Sequence, residues 1–170
     1  GLYEGTENGE TIYYFRGDVD DNWVSFAGFY WRIIRTNSDG SIRMIYNGTS
    51  TATTGTSTQI QTSAFNSTYN ASYYVGLKYS TTQHGTTTNS TIMGILNTWY
   101  TSNLASYASQ LTSGTGFCND RDMASGYSWS ANPSSSIYYA AYGRVITNRT
   151  PSLDCNTASD NFTTSGTGTG

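Results

Sequence analysis

The chain has 170 residues, a formal net charge of −3 and only 11% charged side chains, so it offers no basic patch for nucleic acid or an anionic membrane surface. Solubility comes from 23 Ser and 28 Thr, and apolar area from 15 Tyr, 4 Trp and 6 Phe rather than from Leu and Val. The length suits one domain with a core, and the composition is that of β-rich extracellular domains rather than cytosolic enzymes.

Residues 1–11 are acidic and turn-rich and hold all three glutamates, Glu4, Glu7 and Glu10. They read as an N-terminal arm with a short extended piece at Leu2-Tyr3. A single globular domain is expected over residues 12–162, followed by a flexible Gly/Thr tail over 163–170 that can bury almost nothing. The chain starts at Gly1 without Met or signal peptide, as a mature or trimmed product would.

Ile12–Tyr46 is the expected scaffold, with strands at Ile12–Arg16 and Trp23–Ala27. Between them, Asp18-Val19-Asp20-Asp21-Asn22 has the Asp-x-Asp-x-Asn spacing that opens a calcium loop. Trp23 and Phe29 stand where that loop requires Gly and Glu, so a polar turn is the stronger reading and Asp18, Asp20 and Asn22 are weak metal candidates. From Tyr30 the residues alternate, with Tyr30, Arg32, Ile34 and Thr36 on one face and Trp31, Ile33 and Arg35 on the other. Asn37-Ser38-Asp39-Gly40 reverses the chain, and Ile42, Met44 and Tyr46 oppose Arg43 and Ile45. The result is a hairpin over 30–46 in a small antiparallel sheet.

Residues 47–63 are Thr-rich and read as a loop or edge strand. Tyr73–Tyr79 reads as a strand. His84, the one histidine, lies in a loop without Cys or carboxylate sequence neighbours and reads as a surface side chain. Asn89-Ser90-Thr91 offers an N-cap, after which Ile92, Ile95, Leu96, Trp99, Tyr100, Leu104 and Tyr107 recur at helical spacing. A helix is therefore expected over about 91–110, recapped near Ser102-Asn103 and packed on the sheet's inner face. Asp120 and Arg121 read as a structural pair or hydrogen-bonding corner rather than active-site groups. Ile137–Thr147 reads as a strand. The two cysteines, Cys118 and Cys155, suit one disulfide in an oxidising compartment; two buried free thiols are the alternative. The fold class is thus α+β, mainly antiparallel β. No apolar run is long enough to span a membrane.

Several segments resemble an uncharacterised extracellular domain of Gram-positive gut bacterial surface proteins, including proteins with a type IV prepilin-like leader. They are Tyr14-Phe15-Arg16-Gly17, residues 22–28, residues 31–35 and residues 39–43 in the first half. In the second half they are Tyr74-Val75-Gly76, Asn89-Ser90-Thr91-Ile92, Trp99-Tyr100, Phe117-Cys118-Asn119-Asp120-Arg121, residues 139–142, and Asn148-Arg149-Thr150-Pro151 before Cys155. The resemblance covers about residues 12–165. It implies surface display, with Cys118 and Cys155 as the domain's disulfide, and no catalytic residues. The later part faintly resembles C-type-lectin-like folds.

Catalytic signatures are lacking: there is no Gly-x-Ser-x-Gly elbow, no phosphate-binding Gly loop, no His-Glu-x-x-His and no zinc spacing. A glycosidase needs two carboxylates across a cleft, and nothing in the sequence distinguishes Asp18, Asp20, Asp120 or Asp122 for that work. The expectation is a non-enzymatic protein without cofactor. A structural subunit of a pilus-like filament that self-associates is the leading reading, because few like charges oppose contact between copies. The alternative is an adhesin or lectin-like module, with Tyr127, Trp129, Trp99 and Asn119 as glycan-contacting side chains. Asn-x-Ser/Thr sequons at Asn47, Asn66, Asn70, Asn89, Asn148 and Asn161 are candidates for glycosylation.

Overall fold

The computed structural model describes residues 1–68 and 71–163. The sequon at Asn70 and tail residues 164–170 lie outside the described residues. The fold is α+β with antiparallel sheets, and the chain divides into two compact units. The first comprises Gly1–Thr62 with Trp99–Thr112, and the second Ser63–Thr98 with the described part of Ser113–Gly170.

The first unit is a five-stranded sheet of β1 (Leu2–Glu7), β2 (Glu10–Phe15), β3 (Trp23–Phe26), β4 (Phe29–Thr36) and β5 (Ile42–Tyr46). The segment expected as an N-terminal arm carries β1, which pairs with β2 along its whole length from Leu2↔Phe15 to Glu7↔Glu10. Asn8 and Gly9, with φ of 51° and 82°, close that ribbon. Asn-Gly suits such a turn because both residues tolerate the left-handed region.

Strand β4 is the hub. It pairs with β3 over Phe29–Arg32, meets β2 at Tyr14↔Arg35, and pairs with β5 from Trp31↔Tyr46 to Thr36↔Ile42. The expected hairpin is present, but its alternation breaks at a bulge between Ile33 and Arg35. Cross-strand partners share a face, so the Arg32↔Ile45 and Arg35↔Arg43 pairs bring Arg35 to the same face as Arg32. There Arg35 is buried and pairs with Glu7 at 2.5 Å. Burial, then the nearby Arg35, pushes Arg43 below its usual value, with Glu7 acting against both. On the opposite face Phe29, Trp31 and Tyr46 form a ring cluster with Trp99, at centroid separations of 5.2 to 6.3 Å. Trp99 thus covers the sheet as the sequence suggested, and Tyr107 packs edge-on against Phe26 at 5.3 Å.

Phe26-Ala27-Gly28-Phe29 turns with φ of 54° at Ala27 and 80° at Gly28. A Cβ in the left-handed region is strained, by roughly 1–2 kcal/mol. Ala27→Gly is therefore expected to stabilise the protein by about 0.5–1 kcal/mol. The urea midpoint measures this, and an unchanged or lowered midpoint refutes it.

In the second unit β6 (Lys78–Tyr79) pairs with β7 (Thr88–Asn89), and helix α1 (Thr91–Asn103) follows, its residues from Trp99 onward counted with the first unit. Its first turn is capped as expected: Ser90 Oγ accepts from the Met93 amide at 3.1 Å, and Asn66 Oδ1 from the Thr91 amide at 3.2 Å. The helix stops at Asn103, near the expected recap, and the second part of the helix expected to about 110 is a 3-10 segment over Ala105–Gln110. Of the strand anticipated at Tyr73–Tyr79, only Lys78–Tyr79 forms, after a 3-10 turn at Ser72–Tyr74.

The strand anticipated over Ile137–Thr147 is a helical stretch instead. Ala140–Tyr142 is one α turn and Gly143–Thr147 a π turn, with only Tyr139 bridged to Met123. Ala140 and Ala141 favour helix, and a short apolar run does not separate the two states by periodicity. Strands β8 (Phe117–Cys118) and β9 (Asn161–Phe162) pair antiparallel. Gly116 is needed beside them, since a Cβ there would meet Asn161 Oδ1 at 1.9 Å and the Phe162 carbonyl oxygen at 3.0 Å. Cys118 is disulfide-bonded to Cys155. Among the described residues no helix is long and apolar enough to cross a membrane.

Candidate functional site

Pairing of β8 with β9 brings the residues after Cys118 against those before Asn161. The Asn119 amide donates to the Asp160 carbonyl at 3.0 Å. The next residues turn inward, with Asp120 at a φ of 52°. Arg121 is then directed into the interior and meets Asp160, both side chains 1% exposed. Arg121 Nε donates to Asp160 Oδ1 at 2.9 Å, and the Arg121 backbone amide to Oδ2 at 2.7 Å.

The loop before β7 closes over this pair. Arg121 Nη2 donates to the Gly85 carbonyl at 2.7 Å, and Gln83 Nε2 to the Arg121 carbonyl at 2.7 Å. Between those two anchors stands His84. Its Nδ1 lies 2.9 Å from Asp160 Oδ2, and its Nε2 lies 3.9 Å from Asp122 Oδ1. Asp122 is held in turn by Thr157, whose Oγ1 donates to Oδ1 at 2.6 Å, and by its carbonyl accepting from the Ala140 amide at 2.7 Å. His84, Asp122 and Asp160 each present a ligand atom, all within 4.8 Å of one another.

Tyr139 completes the surroundings. Its hydroxyl donates to the Ser72 carbonyl at 3.0 Å. Burial pushes that hydroxyl above its usual value, and Arg121 pulls the other way.

The arrangement corrects two sequence expectations. His84, read as a surface side chain, is hydrogen-bonded to a buried carboxylate. Asp120 and Arg121 do not pair with each other: Arg121 pairs with Asp160, and Asp120 with Arg144. Asp160 carries no local mark in the sequence, because its partner His84 lies 76 residues away. Chemically, the site offers one imidazole and two carboxylates, one of them neutralised by Arg121. The hydrogen bond of His84 runs to the Asp160 carboxylate, and the nearby Thr157 hydroxyl is engaged by Asp122.

Other sequence candidates are dispersed. Asp18 and Asp20 lie exposed on their turn, whereas Asn22 is buried. Asn22 Nδ2 donates to the Ile33 carbonyl at 2.8 Å, so its amide serves the sheet. Among the aromatic and amide side chains suggested for glycans, Trp99 belongs to the ring cluster and Asn119 bridges the Leu77 amide and the Lys78 carbonyl. The Trp129 ring nitrogen is buried. Tyr127 is exposed and packs against Tyr138 at 5.0 Å.

The sequons divide by burial. Asn89 and Asn148 are exposed, Asn47 and Asn66 half-buried, and Asn161 buried. Asn66 Nδ2 also donates to the Tyr74 carbonyl at 2.9 Å. No family model matches the chain, and no curated protein or solved structure matches it.

Proposed function

We propose that this chain is a non-catalytic extracellular surface domain that serves as a structural subunit of a self-associating, filament-like assembly. The observation that carries the reading is the state of the sheet edges. Strands β1 and β5 each pair on one side only and carry exposed apolar side chains: Leu2 is 60% exposed, Ile42 45% and Ile45 56%. An edge strand with apolar groups and no lysine is a template for pairing with another chain. Only 11% of the side chains are charged, so little repulsion opposes such contact. The disulfide suits an oxidising compartment, as does the domain resemblance read from the sequence. Arg121 and Asp160 face each other in the interior, which suits a role in holding shape.

Light scattering and electron microscopy across a concentration series test the reading. Oligomers or filaments that grow with concentration are expected, and Ile45→Lys is expected to suppress them while leaving the circular dichroism spectrum intact. Monomers alone at the highest attainable concentration refute the proposal.

A further inference from the structure

We infer that His84 and Asp122 form a binding site for a divalent transition-metal ion, with Asp160 as the outer carboxylate that orients the imidazole. The argument starts with Asp160. Its Oδ1 accepts from Arg121 Nε and its Oδ2 from the Arg121 amide, at 2.9 and 2.7 Å. Both oxygens of Asp160 thus serve as acceptors, one for the guanidinium and one for the backbone amide. The contact of 2.9 Å to His84 Nδ1 therefore needs a proton on Nδ1. In the neutral ring that leaves the lone pair on Nε2, the atom that faces Asp122. A carboxylate fixing a ligating histidine through its other nitrogen is the usual outer-sphere arrangement at metal centres.

The second step is the gap. His84 Nε2 and Asp122 Oδ1 are 3.9 Å apart, too far for a hydrogen bond. Two metal–ligand bonds of about 2.0–2.2 Å meeting at an open angle span that distance. Thr157 Oγ1, 2.6 Å from Asp122 Oδ1, fixes this carboxylate as Asp160 fixes the imidazole. Composition agrees as well: the site sets two acidic side chains, Asp122 and Asp160, against one guanidinium, Arg121, a balance that favours a cation.

Accessibility separates the roles. The side chains of His84 and Asp122 are 27% and 30% exposed, so an ion between them can keep waters on its remaining positions. Asp160 is 1% exposed and its oxygens are engaged, which keeps it out of direct ligation. An imidazole with a carboxylate selects zinc, copper or nickel over calcium and magnesium, which prefer all-oxygen sets. The bound ion ties the loop before β7 to the segment after β8, a cross-link in the same unit as the disulfide.

Because the chain has one histidine, its imidazole nitrogens are observed without ambiguity by NMR on the full, tag-free chain. The expected result before metal is the Nδ1–H tautomer, followed by a large Nε2 shift on titration with zinc chloride alone. Calorimetry is expected to give one zinc per chain, weakened about tenfold or more by His84→Ala and by Asp122→Asn. Both replacements are at partly exposed positions and leave the Arg121–Asp160 ion pair itself in place, and circular dichroism verifies their fold. Copper(II) substitution is expected to give an electron paramagnetic resonance spectrum with one imidazole nitrogen. An Nε2–H tautomer, absence of saturable zinc binding, or an affinity in either variant equal to that of the parent protein overturns the assignment.

Discussion

Arg121→Met is expected to destabilise the protein by about 3–5 kcal/mol, because it removes one partner of a buried ion pair and leaves the other charge without a counterion. Both side chains are 1% exposed, so water cannot solvate the stranded Asp160 carboxylate without opening the β8–β9 pairing around it. The hydrogen bond to Gly85 is lost as well, so the loop carrying His84 loosens. The double replacement Arg121→Met with Asp160→Leu removes both charges and is expected to recover part of the loss, since an apolar pair of similar volume often matches a buried ion pair. Urea denaturation of the single and double variants measures the cycle. A single variant within about 1 kcal/mol of the parent protein contradicts the account.

Breaking the Cys118–Cys155 bond has the next largest expected effect. The cysteines are 37 positions apart, and the chain-entropy model assigns closure of a loop of that length about 4 kcal/mol. The loss is expected in the Cys118→Ser/Cys155→Ser variant and, to the same extent, in the parent protein under reductant. Cys118 also precedes Asn119, whose amide bonds to the Asp160 carbonyl, so this change and Arg121→Met touch one structure. Their effects are therefore expected to couple rather than add. Equal denaturation midpoints with and without reductant, once reduction is verified by mass, exclude the effect.

The parts of the fold that were readable are those with short-range signatures. Residues 30–46 alternate and turn at Asn37–Gly40, and the hairpin forms there. Ser90 precedes a helical period and caps the helix. The Asn8-Gly9 signal was equally local. The three glutamates around it point instead to a solvated arm; paired against β2, β1 lies at the sheet edge with most of its residues in solvent. The bulge after Ile33 had no mark in the alternation, because Arg35 is positioned by Glu7, a distant partner. For Ile137–Thr147, aromatic and β-branched content pointed to strand, and tertiary contacts through Asp120 and Arg144 overrode it. The candidate site was the least readable. His84, Arg121, Asp122 and Asp160 come together only when β8 pairs with β9, and no spacing in the chain encodes that.

The way the first two strands are joined to the rest has a mechanical outcome. The β1–β2 ribbon meets β4 through a single ladder pair, Tyr14↔Arg35. Its other attachments are side-chain bonds: Glu7 to Arg35 and to the Ser38 amide, and Thr36 Oγ1 to the Tyr13 amide. Such a flap can lift by exchanging a few contacts while its own internal ladder stays whole. Sub-global opening of this kind lets deuterium reach the β4 amides near Arg35 before those of the ribbon itself, and it bares the edge of β4 that the ribbon covers.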